Sequence, residues 1–281
     1  MRLVSYNDGR AGQLIGDDEI VPIAGTMRSV IERWARDGAR PTPLSEDVIP
    51  LHDAVLRTPV ADPSKVIAAP VNYRDHQVEM NVDAQVGALG FFLEAPSSLL
   101  DPGGTIQLPY HDRRFDQEGE LAVIIGRTAR MVDEHEALEY VFGYTGLLDI
   151  TMRGGEDRST RKSFDTFTPM GPLLVTADEF GDPGNVELRC WVNDQLRQHA
   201  NTSDLIWSVA KLISYASSVT TLNPGDVVTT GTPAGVGPIQ AGDNIRLEIS
   251  GIGLPLTARV AADEAIACPT SGRDRRPVSP A

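Results

Sequence analysis

Apolar positions follow two different rhythms along this chain. Met27, Val30, Ile31, Trp34 and Ala35 recur at i, i+3, i+4, i+7 and i+8, the stripe of an amphipathic helix. Thr26 stands where a cap would accept from the first turn, and Gly38 stands where the helix would end. Residues 2–5 and 19–23 read as short strands before it. Pro41, Pro43, Pro50, Pro59 and Pro63 punctuate 41–63, which reads as a connector with little regular structure. From Lys65 the rhythm becomes short and β-rich, with candidate strands at 65–69, 89–93, 120–125, 143–149, 172–176, 186–193, 226–230 and 244–250. Asn193-Asp194, between two polar–apolar runs, predicts a hairpin turn.

Two later helices are expected. One begins near Asp133, where Asp133 and Glu136 resemble a capping box. The other covers about 204–216, with Leu205, Val209, Leu212 and Ala216 on one face. Strands and helices do not alternate regularly, which argues against a doubly wound sheet or a (β/α)₈ barrel. The pattern predicts an α+β fold built on a rolled mixed sheet. It divides into a small N-terminal αβ unit and connector over 1–60, a β-rich domain over 61–268 and a polar tail over 269–281. The tail is expected to be frayed or draped over the surface.

Composition narrows the function. The 281 residues are 41% hydrophobic and 23% charged, as in a soluble globular protein. No apolar run approaches the roughly 18 residues of a membrane span. The N-terminal MRLVSYNDGR has no basic head followed by an apolar stretch, so no secretory signal is expected. Two cysteines, Cys190 and Cys268, provide neither a disulfide framework nor a zinc knuckle, and a cytoplasmic setting is expected. The net charge of −14 argues against nucleic acid and anionic membranes as partners. An anionic substrate would require a local concentration of positive charge.

The stretch RFDQEGELAVIIG, residues 114–126, places Glu118 and Glu120 ahead of an apolar run. Alternate residues of a strand share a face, so the two carboxylates project together. Such a pair faces water, shares a proton or is held by a cation, and facing water is the plain outcome for an isolated Glu-x-Glu. Asp149, at the end of YTGLLDITM, adds a third acid. Three carboxylates suit a hard cation such as Mg²⁺ or Mn²⁺, and no Cys/His cluster points to zinc.

Other candidates follow. In APVNYRDHQVEMN, residues 69–81, His76 and Glu79 share a face if the segment is helical, so Glu79 could orient His76 as a base. The other histidines read as surface or structural. Arg153, Arg158, Arg161 and Lys162 form the notable basic cluster of this acidic chain. It reads either as a solvated loop or as a receiver for an anionic substrate. TTGTPAGVGP, residues 229–238, has glycines that permit close backbone approach, but no phosphate-loop Lys-Ser/Thr follows.

Together these segments resemble the fumarylacetoacetate hydrolase family. The resemblance is carried by N-Y-R-D-H at 72–76, E-G-E at 118–120, Asp149, K-S-F-D-T-F at 162–167 and G-T-P-A-G-V-G at 231–237, in order over about residues 64–260. It implies a β-roll fold, usually dimeric, and a Mg²⁺ or Mn²⁺ ion on Glu118, Glu120 and Asp149. It further implies a water-activating His76–Glu79 dyad, a catalytic Lys162, and Arg153 and Thr232 against the substrate. Glu156 stands where many members carry a substrate-positioning glutamine. It is expected either to touch substrate or to pair with Arg158 or Arg161. Glu94 stands where many relatives carry lysine.

The implied activity is hydrolysis of a carbon–carbon bond in an acylpyruvate or related 1,3-diketo acid, through a metal-stabilised pyruvate enolate. Decarboxylation or isomerisation of an unsaturated oxo-diacid from aromatic catabolism is the alternative. A metal-binding homodimer without catalysis is a third.

Overall fold

The computed structural model describes residues 1–44, 47–262 and 266–270. Among these, the strand Gly119–Ile125 is the centre of the molecule. All seven of its residues are buried. Leu121, Val123 and Ile125 pack into one core, while Ala122 and Ile124 pack into a second. A strand enclosed on both faces must be apolar at consecutive positions, which explains the unbroken Leu-Ala-Val-Ile-Ile run. Each buried aliphatic side chain contributes roughly 1.5–3 kcal/mol.

This strand pairs antiparallel with Val141–Leu148 on one side and Val227–Thr229 on the other. They belong to a sheet of twelve strands among the described residues. The N-terminal strands Arg2–Tyr6, Arg10–Ile15 and Glu19–Thr26 continue this sheet through pairing of Arg2–Tyr6 with Thr168–Thr176. The helix Met27–Asp37 covers one face with Met27, Val30 and Ile31. A second, five-stranded sheet packs Leu188, Cys190, Leu247 and Ile249 into the core on the other face. The result is a rolled α+β architecture, as the strand-rich pattern predicts.

The first helix ends as its sequence dictates. Thr26 Oγ1 accepts from Ser29 N–H at 3.4 Å, and Gly38 closes the helix at φ 65° by donating to the Trp34 carbonyl. The Asn193-Asp194 turn joins Glu187–Val192 to Gln195–Asn201.

Other expectations need correction. No α-helix starts at Asp133. The segment makes turns and one 3₁₀ turn over Ala137–Tyr140, in which Ala137 is the buried residue. Caps without an apolar stripe do not sustain a helix. The helix placed over 204–216 runs from Val209 to Val219, because Ser208 caps it by accepting from Lys211 N–H. Ahead of it, Ile206 N–H is taken by the Asn72 carbonyl. The run 89–93 divides into a helical turn, Val86–Leu89, and a strand, Phe92–Glu94, at Gly90 with φ 68°. Of the tail, 266–270 runs along the body, with Ile266 accepting from His111 N–H. Residues 271–281 lie outside the described residues. No described helix is long and apolar enough to cross a membrane.

Candidate active site

The chain changes sheets at Glu118. Phe115–Gln117 pairs with Thr151–Met152 and Gly237–Ile239, whereas Gly119–Ile125 pairs within the large sheet. Glu118 is the hinge between them. Register then delivers the third acid: Gly119 opposes Leu148, and one step outward Asp149 N–H donates to the Glu118 carbonyl at 2.8 Å. Glu118, Glu120 and Asp149 are all buried, with one carboxylate oxygen of each within 4.8 Å of the others. The predicted convergence is therefore present, through a strand break rather than a continuous strand.

Two cations reach this cluster. Lys162, at the end of the short helix Arg158–Lys162, donates to Glu118 Oε2 at 2.7 Å and to Asp149 Oδ2. Arg153 donates through Nη2 to Glu118 Oε1 at 2.9 Å and through Nε to Asp116 Oδ2 at 2.5 Å. Glu120 Oε2 accepts from Gly231 N–H at 2.9 Å. Gly231 has φ 83°, and a Cβ there would lie 2.9 Å from the Ala69 carbonyl oxygen. This glycine is required both by conformation and by space.

These neighbours separate the acids electrostatically. Burial opposes ionisation of Glu118, but Lys162 and Arg153 overcome it and hold the carboxyl down at about 2. Burial, with the charge of Asp149, pushes Glu120 up to about 8. Burial also lifts Asp149 to about 6, against the pull of Lys162. Glu94, beside them, is driven well above the carboxylate range by burial and then by Asp149. Burial would discharge Lys162, but Asp149 and Glu118 raise its pKa and keep it charged.

The residues fit a divalent cation. The donor set is all oxygen, as hard ions require, and Asp149 Oδ1 is buried without a hydrogen-bond partner.

His76 sits on the helix Arg74–Glu79, as the i, i+3 reading requires, with Nδ1 2.9 Å from Glu79 Oε2. Glu79 Oε1 accepts in turn from Gly235 N–H at 2.9 Å. That contact fastens the helix to the glycine-rich loop.

A cavity of about 110 Å³ is lined by His76, Glu118, Glu120, Asp149, Arg153, Lys162 and Thr232. Arg158, Arg161, Met80, Val82 and Phe92 also line it. Glu156 is not among the lining residues. It accepts from Arg113 Nη2 at 2.7 Å and from Thr270 Oγ1 at 2.6 Å.

Sequence reasoning passed over Asp116, which anchors Arg153 and Arg114 from within the same acidic stretch. Its signal was the alternation Asp116-x-Glu118-x-Glu120. It also passed over Gln198, which carries no local signal.

The fumarylacetoacetate (FAA) hydrolase C-terminal domain profile matches residues 65–261. The chain belongs to the fumarylacetoacetate hydrolase family. Within it, the chain is 44% identical to a maleylpyruvate hydrolase of Aquipseudomonas alcaligenes, over 90% of this chain and 97% of that protein. The family resemblance extends to three dimensions. The crystal structure of maleylpyruvate hydrolase from Sphingobium sp. SYK-6 with manganese(II) and pyruvate superposes with a TM-score of 0.79 at 39% identity, covering 94% of this chain and all of that one. A 5-carboxymethyl-2-hydroxymuconate delta-isomerase from Mycobacterium smegmatis also has a TM-score of 0.79, at 35% identity and the same coverage.

Proposed function

We propose that this protein is a divalent-metal-dependent hydrolase that cleaves the carbon–carbon bond of an acylpyruvate. The observation that carries this reading is the meeting of Glu118, Glu120 and Asp149 with charged Lys162 and the His76–Glu79 pair around one cavity. The manganese- and pyruvate-bound relative supports it. Mg²⁺ or Mn²⁺ is the proposed ion, and it would supply a Lewis acid to the keto-acid end of the substrate.

The chain's own groups account for the remaining chemistry. With Nδ1–H donated to Glu79, His76 presents Nε2 as a base and takes a proton from water. The resulting hydroxide equivalent adds to the distal carbonyl carbon. When the carbon–carbon bond breaks, its electron pair passes to the methylene carbon of the three-carbon fragment, which then regains a proton. The products are a carboxylic acid and pyruvate. Lys162, held charged, stabilises developing negative charge and is an acid rather than a base. Arg153 stands beside Glu118 on the cavity wall, and Thr232 lines the cavity from the glycine-rich loop.

Arg158 and Arg161, together with Met80, Val82 and Phe92, favour an acyl arm that is partly apolar and carries its own carboxylate. An oxo-diacid isomerase or decarboxylase would use the same keto-acid end, and the neighbouring isomerase supports that second reading.

Incubation of the Mn²⁺-loaded protein with a panel of acylpyruvates, followed by loss of diketone absorbance, tests the proposal. Pyruvate and a free acid in equal amounts are expected. Rearranged substrate or CO₂ without pyruvate would instead establish the second reading.

A further inference from the structure

One buried amide ties the metal-ligand strand to the loop across the cavity, and nothing in the reaction outlined above uses it. Gln198 lies on Gln195–Asn201, the outer strand of the five-stranded sheet. It is the one buried residue of that strand. Its accessible surface is 0%. An edge strand that needed only packing there would carry an apolar side chain, since an unsatisfied buried amide costs roughly 1–3 kcal/mol.

Gln198 is fully satisfied. Its Oε1 accepts from Gly119 N–H at 2.9 Å, between Glu118 and Glu120. Its Nε2 donates to Thr232 Oγ1 at 2.7 Å and to the Pro233 carbonyl at 2.9 Å. Thr232 Oγ1 donates to the Gly119 carbonyl at 3.0 Å, which closes the ring.

The neighbouring Arg197 reinforces the same junction. Its Nη1 donates to Gln117 Oε1 at 3.2 Å and to the Pro238 carbonyl at 2.7 Å. Gln117 Nε2 in turn donates to the Gly235 carbonyl at 2.9 Å. Gly235, at φ 98°, faces the Arg197 carbonyl so closely that any Cβ would collide with it. The same Gly235 holds Glu79.

We infer that Gln198 is a positioning residue of the active site. It sets the separation between the Glu118–Glu120 backbone and the Thr232 loop, and so joins ion binding to reception of the keto acid. The inference rests on the proposed function, because it takes the two sides of the ring as the ion's side and the substrate's side.

Two variants separate those sides. Gln198→Leu keeps the volume and removes all three hydrogen bonds. Gln198→Glu retains an acceptor for Gly119 N–H, but a carboxyl has at most one hydrogen to give and so loses at least one of the two donations to Thr232 and Pro233. The probes are Mn²⁺ alone, followed by its electron paramagnetic resonance, and oxalate added to the Mn²⁺-loaded protein. Gln198→Leu is expected to weaken Mn²⁺ binding by about 10–100-fold, the range for partners that orient ligands from outside. Gln198→Glu is expected to hold Mn²⁺ within about 3-fold of the parent and to weaken oxalate by about 10-fold.

Ser217→Ala is the control for a purely structural role. Ser217 Oγ accepts from Val132 N–H at 3.0 Å in a buried position outside the cavity lining. This variant should lose thermal stability and keep both affinities. Parent-like oxalate binding by Gln198→Glu overturns the inference, even if Gln198→Leu does not fold. So does parent-like Mn²⁺ binding by a folded Gln198→Leu. The parent's own affinity for Mn²⁺ and oxalate tests the proposed function, whereas only the difference between parent and variants tests Gln198.

Discussion

Glu120 and Asp149 precede Arg153 in the sequence and Glu156 follows it, and their environments are opposite. Glu120 and Asp149 are enclosed among other carboxylates, and burial pushes them up to about 8 and about 6. Glu156 stands against Arg113 and Thr270. Burial opposes its charge, but the Thr270 and Arg113 hydrogen bonds hold it down at about 2. Of the first two, Asp149 shares Lys162 with Glu118, and its Oδ1 has no hydrogen-bond partner. Glu156 is already satisfied within the protein. It fastens the 154–157 loop to the segment 266–270, where Cys268 N–H also donates to Asp112 Oδ1 at 2.8 Å. Glu156 is close in sequence to Arg153 but does not line the cavity. What distinguishes the two environments is that Arg113 gives both contacts to Glu156, whereas Lys162 and Arg153 are divided among Glu118, Asp149 and Asp116.

The largest effect that would sharpen this contrast is kinetic. His76→Ala should slow acylpyruvate cleavage by about 10²–10⁴-fold, the usual range for losing a general base, while leaving Mn²⁺ binding intact. A matching loss of Mn²⁺ would show that the histidine belongs to the ion's surroundings instead.

Next comes the pH dependence of binding. Carboxyls raised to about 8 and about 6 hold protons that an ion must displace. Mn²⁺ affinity should therefore rise between pH 6 and 8, with proton release visible when calorimetry is repeated in buffers of different ionisation enthalpy. Flat affinity would contradict the reading of the acidic group.

Glu156→Gln should be milder. Loss of the charged contact is expected to cost roughly 1–2 kcal/mol of stability, allowing for its partial exposure. Turnover should stay within about 3-fold of the parent. A collapse of kcat/KM would return Glu156 to the substrate.

The smallest effect is the acid response of the same contact. The folded carboxyl is depressed, so its stabilisation is complete above the ordinary value of 4.5 and is lost as pH falls towards about 2. Amide protection of 266–270, taken relative to the intrinsic exchange rate at each pH, should fall over that window in the parent and not in Glu156→Gln.

Some of this was legible in the chain and some was not, for physical reasons. The helix Met27–Asp37 was readable because stripe, cap and terminal glycine agree locally. The proximity of Glu118 and Glu120 and the His76–Glu79 contact were readable because alternate strand residues share a face and an i, i+3 pair needs only one turn of helix. The contacts of Glu156 were not readable, because its partners Arg113 and Thr270 are distant in sequence. Gln198 was invisible for the same reason, since its meaning depends on Gly119 and Thr232 reaching it from one strand and one loop distant in sequence. The capping-box pattern at Asp133 shows the reverse failure, a local signal that tertiary structure did not extend into a helix.

The most direct test of the acidic group is a Mn²⁺ titration of the parent and of Asp149→Asn, followed by loss of the free-ion resonance. One bound ion per chain in the parent, with affinity reduced by more than about 100-fold in a folded Asp149→Asn, is the predicted result. Equal binding by the two proteins would contradict the account, because the ion would then sit elsewhere than on Glu118, Glu120 and Asp149.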